Sequence, residues 1–286
     1  MEYVTLSNGV KMPKLGFGVF QISKEDCEKC VLDAINAGYR HIDTAQSYFN
    51  EEEVGNAISK CGIVREELFI TTKVWIDNYG YEKTRQSVLK SMEKLKADYI
   101  DLVLLHQPYS DYYGAYHALQ DLYEEGKIRA IGVSNFSPDR LADMVAFNKI
   151  APQVNQVETN PLHQQINAQE NMVKRGVQME AWAPFGEGKN NMFNNPILKE
   201  ITDKYDKSAA QVILRWLTQR NIVALAKSTH TERIKENLEI FDFQLSEGDM
   251  NKITALDTKT SLFFNHQTPE AVDGFVKMIE ERKGRI

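Results

Sequence analysis

The chain has 286 residues, 42% hydrophobic and 26% charged, with a formal net charge of −6. These fractions exclude a disordered or fibrous chain, no apolar run reaches the ~20 residues of a membrane span, and the scattered basic residues offer nucleic acid no surface. Three cysteines are too few for a disulfide framework and the first residues lack a basic-then-apolar secretory pattern, so a cytoplasmic location is expected.

In chain order, Val4–Met12 reads as a hairpin, with Asn8-Gly9 as a type I′ turn. Leu15–Phe20 reads as a strand. Ser23 with Asp26 caps a helix that Gly38 stops, and Tyr39–Asp43 is the second strand. Leu68–Val74 is a strand followed by a helix over Glu82–Lys96, with Val88, Met92 and Leu95 on one face. Tyr99–His106 is a strand, then a helix runs through Ala115–Glu125 to Gly126. Lys127–Ser134 is a strand, and Ser137-Pro138 opens the next helix. Pro152–Glu158, Val177–Ala183 and Ile222–Lys227 complete the strands, followed by helices at Asn167–Arg175, Ser208–Arg220 and Thr231–Ile240. Ser246–Asp257 is a further helix, and the remainder reads as a polar tail carrying Leu262-Phe263-Phe264. Eight strands alternating with helices, undivided by any Pro- or Gly-rich linker, predict one closed (β/α)8 TIM barrel across residues 1–286, with the N-terminal β-hairpin capping its bottom.

Active sites in such barrels lie at the carboxyl ends of the strands. Asp43, Lys73 and His106 close the second, third and fourth strands, and Tyr48 stands in the loop just beyond Asp43. A lysine ending a buried strand needs a partner, and Asp43 next door supplies it. The lysine cation is expected to lower the pKa of Tyr48 and so ease proton transfer to a carbonyl oxygen, which His106 would orient. Singly, each residue reads as structural: a surface tyrosine, a rim histidine, a solvated ion pair. The joint placement points to a site. Cys27 and Cys30 have CxxC spacing but fall inside a helix, which favours inert thiols over a redox or metal pair; no metal is expected.

Gly38-Tyr39-Arg40-His41-Ile42-Asp43-Thr44-Ala45, with Tyr48 and Asn50-Glu51, resembles the signature of the aldo-keto reductases. Thr72-Lys73-Val74-Trp75, Asp101–His106, Gly132–Phe136, Gln156–Pro161, Lys227-Ser228 and Arg233–Asn237 continue the likeness along nearly the whole chain, as in the bacterial diketogluconate and methylglyoxal reductases. The resemblance implies a tetrad of Asp43, Tyr48, Lys73 and His106, with Tyr48 as general acid. It implies a nicotinamide bound without a GxGxxG fingerprint: its carboxamide held by Ser134, Asn135 and Gln156, and its ring stacked on Trp182, where tyrosine is commoner. Lys227, Ser228 and Arg233 at a helix start suit a phosphate monoester, which the family makes the 2′-phosphate of NADP(H), with Glu236 and Asn237 at the adenine. Ala226 replaces a common proline. Phe20, Phe49, Trp75 and Gln107 would line the substrate pocket, and Gln107 in place of a tryptophan suggests small polar carbonyls, keto sugar acids or methylglyoxal-like dicarbonyls.

Two rivals belong to other classes. An NADPH-binding sensor with little turnover has no need of Tyr48 beside Lys73. A Schiff-base isomerase or aldolase needs an uncharged lysine, which Asp43 opposes. The expected protein is a monomer acting on a small-molecule carbonyl substrate, without nucleic acid or membrane partners.

Overall fold

The computed structural model describes residues 1–282. It opens with β1 (Tyr3–Thr5) and β2 (Lys11–Pro13), antiparallel with Val4 opposite Met12. The turn between them is not the expected type I′. Of Asn8 and Gly9 only Gly9 takes a positive φ, 86°; its N–H donates to the Leu6 carbonyl, and the Leu6 N–H donates to Val10. This is a three-residue loop closed by a glycine bulge. The Asn8 side chain bonds instead of its backbone bending: Nδ2 donates to the Arg129 carbonyl at 2.9 Å and Oδ1 accepts from the Val10 N–H at 3.2 Å.

Eight parallel strands follow: β3 (Leu15–Gly18), β4 (His41–Asp43), β5 (Phe69–Val74), β6 (Ile100–Leu105), β7 (Ile128–Ser134), β8 (Val154–Glu158), β9 (Gln178–Trp182) and β10 (Val223–Ala226). They close in sequence order, β10 pairing with β3, into the expected (β/α)8 barrel. Val4, Leu6 and Met12 of the hairpin cluster with Phe69, Val154 and Val223, the first residues of β5, β8 and β10. The hairpin therefore plugs the bottom, and the carboxyl mouth is left for chemistry.

The helices are α1 (Lys24–Ala37), α2 (Glu51–Lys60), α3 (Tyr81–Leu95), α4 (Tyr112–Glu124), α5 (Pro138–Phe147), α6 (Ile166–Lys174), α7 (Pro196–Tyr205), α8 (Ala209–Gln219), α9 (Thr231–Leu238), α10 (Glu247–Thr254) and α11 (Pro269–Arg282). Local chemistry sets their starts. The Ser23 side chain accepts the Asp26 N–H, and Ser208 with Gln211 forms a complete capping box, stabilising by about 1 kcal/mol each. Cys27 and Cys30 are buried free thiols on α1 facing the core, and burial pushes the Cys27 thiol up to about 12.

Three helices went unanticipated. In α2, Glu51-Glu52-Glu53 look like loop yet suit the positive end of a helix dipole, and Val54, Ala57 and Ile58 bury its inner face. Gly55 lets α2 touch α3, for a Cβ there would stand 2.1 Å from the Lys94 carbonyl oxygen. α7 starts from an Asn195 cap with Pro196 in its first turn. The expected polar tail is in fact largely helical: in α11, Ala271, Phe275 and Ile279 recur every four residues, and Phe275 is buried. Among the described residues no helix is long and apolar enough to cross a membrane.

Candidate active site

The site begins with three adjacent strands. β4 ends at Asp43, β5 carries Lys73 next to its end, and His106 directly follows β6. Tyr48 closes a single 3-10 turn, Gln46–Tyr48, between β4 and α2. The Lys73 ammonium donates to Asp43 Oδ1 at 2.5 Å and to the Thr44 carbonyl at 3.0 Å, and lies 3.4 Å from the Tyr48 hydroxyl. Desolvation favours the neutral form of both Asp43 and Lys73, and at Lys73 the neighbouring oxygens outweigh it and raise the pKa. Geometry decides for the charged pair: three oxygens around Nζ are the environment of an ammonium, and Gln156 adds an amide donor to Asp43 Oδ2 at 3.0 Å.

Tyr48 departs from expectation. Burial raises its pKa, Lys73 pulls it down, and Asp43 and Glu180 push it up again; the net direction is upward. Lys73 alone does not win because its charge is shared with Asp43. The phenol is therefore held neutral and keeps its proton at neutral pH. His106 packs edge-on to Tyr48 and Trp75, and its Nδ1 lies 3.4 Å from the Ser47 hydroxyl. Ser47 escaped sequence reasoning because nothing distinguishes it from an ordinary turn serine.

A second layer is built from β7, β8 and β9. Trp182 Nε1 donates to Asn135 Oδ1 at 2.8 Å, and Asn135 Nδ2 donates to the His106 carbonyl, to Gln107 Oε1 and to Ser134 Oγ at 3.2–3.3 Å. Ser134 Oγ donates to the Gln156 carbonyl at 2.9 Å. Asn135 and Ala183, just past β7 and β9, hold left-handed backbones (φ 64° and 47°), which cost roughly 1–2 kcal/mol each. Such strain collects where geometry serves a ligand. Gln156 spends both amide hydrogens on carboxyls, Asp43 and Glu180.

A cavity of about 710 Å³ joins these groups. Asp43, Tyr48, His106, Ser134, Asn135, Gln156, Trp182 and Lys227 all line it, as do Phe20, Trp75 and Gln107. Phe49, exposed with φ 60°, is not on its wall. Ser228, Arg233, Glu236 and Asn237 lie past β10 and along α9, outside the wall. Lys227 and Arg233 are exposed, and among the described residues neither side chain forms a hydrogen bond or an ion pair. The far wall comes from the C-terminal segment: Phe263, Phe264, His266, Phe275 and Met278. Of these, sequence reasoning singled out Phe263 and Phe264 and missed Phe275, whose signal was the four-residue periodicity of α11. Burial pushes His266 down to about 4, so it is neutral.

A model described as Aldo/keto reductase family matches residues 14–258. The chain is 47% identical over 258 residues to the glyoxal reductase of Bacillus subtilis, covering 90% of this chain and 93% of that protein. It is 38% identical over 257 residues to the methylglyoxal reductase DkgA of Escherichia coli, covering 89% and 93%. The crystal structure of a Bombyx mori aldo-keto reductase in complex with NADP matches with a TM-score of 0.88 at 32% identity, over 92% of this chain and 95% of that one.

Proposed function

The chain belongs to the aldo/keto reductase family, and from that premise we propose that it reduces small aldehydes and ketones with NADPH, glyoxal-like dicarbonyls and keto sugar acids among them. Oxidoreductase action on carbonyl groups is the family's chemistry; the cofactor, the acid and the substrate are our reading. Two observations support NADP(H): a cavity running from Tyr48 to Lys227, and the amide and hydroxyl groups of Ser134, Asn135 and Gln156 along it. Ser134, Asn135 and Gln156 would hold the carboxamide, Trp182 the ring, Lys227, Ser228 and Arg233 the 2′-phosphate, and Glu236 and Asn237 the adenine. When bound, the nicotinamide supplies hydride to the carbonyl carbon.

The chain's own residues manage the proton. Tyr48, held neutral by burial, gives its hydroxyl proton to the carbonyl oxygen as charge develops there. Lys73 then stabilises the phenolate left behind, and Asp43 keeps Lys73 charged and aimed. His106 hydrogen-bonds the same carbonyl oxygen and fixes its approach. Phe20, Trp75 and Gln107 border the substrate space. Three unpaired cysteines suit work in a reducing cytoplasm.

The observation that carries this reading is the Lys73 ammonium between Asp43 at 2.5 Å and Tyr48 at 3.4 Å, for a sensor needs no buried ion pair under a phenol. The test is NADPH consumption, followed by absorbance, with methylglyoxal, glyoxal and a diketogluconate, against NADH controls. Turnover with NADPH at several-fold lower KM than with NADH is expected. Tight NADPH binding without turnover on any carbonyl would replace the reductase by a sensor.

A further inference from the structure

Deeper in the barrel lies an acid with no role in the proton transfer above. Glu180, in the middle of β9, has no exposed surface. Its Oε2 accepts a 2.8 Å hydrogen bond from the Gln156 amide, whose other hydrogen goes to Asp43 Oδ2. Gln156 thus couples Glu180 through Asp43 and Lys73 to the Tyr48 hydroxyl. Glu180 Oε1 makes no hydrogen bond; the imidazole Nε2 of His41 is 3.7 Å away and itself contacts Thr71 Oγ1 at 3.0 Å.

Resting on the assignment of Tyr48 as the acid, we propose that Glu180 is a positioning residue and pH brake for the reaction: neutral, it holds Gln156 against Asp43, and on losing its proton it makes Tyr48 a poorer donor. The charge count leads there. The groups facing Glu180 are Asp43 and His41 from β4, Lys73 from β5, Tyr48 from the turn after β4, and Gln156 from β8; its β10 neighbour, Val223, is apolar. The cluster holds one cation, Lys73, and Asp43 has claimed it at 2.5 Å. His41 adds no charge, since burial, and then Lys73, push it down to about 3. One buried cation supports one carboxylate, so the second carboxyl keeps its proton. Burial, and then Asp43, raise Glu180 to about 8, which puts its ionisation just above neutrality. A carboxylate there adds negative charge to the network and tightens the hold of Tyr48 on its proton.

The variant is Glu180→Gln, which keeps the volume and an acceptor for Gln156. The readout, independent of turnover, is the tyrosinate absorbance titration of cofactor-free protein, with Tyr48→Phe in each background subtracted to isolate Tyr48. Replacing the carboxylate should move the Tyr48 midpoint down by about one pH unit. The fall in kcat/KM for methylglyoxal that the ionising carboxyl imposes around pH 8 in wild type should be relieved in the variant. Identical Tyr48 midpoints in the two proteins would overturn the proposal, even if both reduce carbonyls normally. Should Glu180→Gln fail to fold, an infrared titration of the wild-type protein decides: a carboxylic acid C=O band lost near pH 8 supports the proposal, and its absence at pH 6 rejects it.

Discussion

Tyr48 keeps its proton at neutral pH, because burial outweighs the lysine beside it and raises the pKa of the phenol. Placing a cation next to a phenol suggests a lowered pKa, but Lys73 is already neutralised by Asp43, and what Tyr48 experiences is chiefly a dry pocket. Glu180 obeys the same rule. Its folded-state pKa lies above the ordinary 4.5, so its contribution to stability is full below about pH 4.5 and is lost as pH rises toward about 8. Glu180→Gln should therefore gain melting temperature relative to wild type across that window, reaching several °C by pH 8 in thermal scans. A pH-independent difference would mean that Glu180 is already ionised in the fold. The meeting of Asp43, Tyr48, Lys73 and His106 was legible because each closes or follows a strand. Glu180 was not: one acid between Met179 and Ala181 differs from a solvent-facing residue only once the barrel closes around it.

Two elements, α9 and α11, are where our reading of selectivity can be tested. In the first turn of α9, Arg233 opposes the helix dipole and has no hydrogen-bond or ion-pair partner among the described residues. If it meets the 2′-phosphate, Arg233→Ala should weaken NADPH binding about 10- to 100-fold, the worth of one charge-assisted hydrogen bond, and leave NADH unchanged. Isothermal titration with both cofactors separates that from a general loss of the pocket. At the other side α11 sets Phe275 against Trp75 (centroids 5.8 Å apart) and Tyr109 (5.4 Å). The Gln107 amide suggests a polar pocket, yet its Oε1 is turned to Asn135, and the wall it shares is largely aromatic. Phe275→Ala should raise KM for benzaldehyde several-fold and change methylglyoxal little, because only the larger substrate reaches that wall. Equal effects on both would mean that α11 shapes the whole site. The sequence hid this helix because a single buried side chain gives its apolar stripe little contrast.

At the scale of the molecule, the barrel separates stability from chemistry. Alternating strands and helices without a linker were enough to foresee eight strands closing in order, since a parallel strand needs a covering helix and closure leaves no edge. Boundaries and irregular segments were less legible, for caps such as Asn195 and the loop 183–195 depend on tertiary contacts. The bottom plug tests the separation. Met12 is fully buried in it, far from the mouth, so Met12→Ala should cost about 2–5 kcal/mol and lower the melting temperature while leaving kcat at 25 °C intact. A fall in kcat at full occupancy of the fold would show that the two ends communicate.

The central claim is that this barrel reduces carbonyls by way of Tyr48. Its most direct test is single-turnover NADPH oxidation with methylglyoxal in wild type and Tyr48→Phe, with NADPH affinity measured in parallel. The account predicts a rate loss of about 10²- to 10⁴-fold at unchanged NADPH affinity, as expected for removing a general acid. A variant that turns over at the wild-type rate would contradict it.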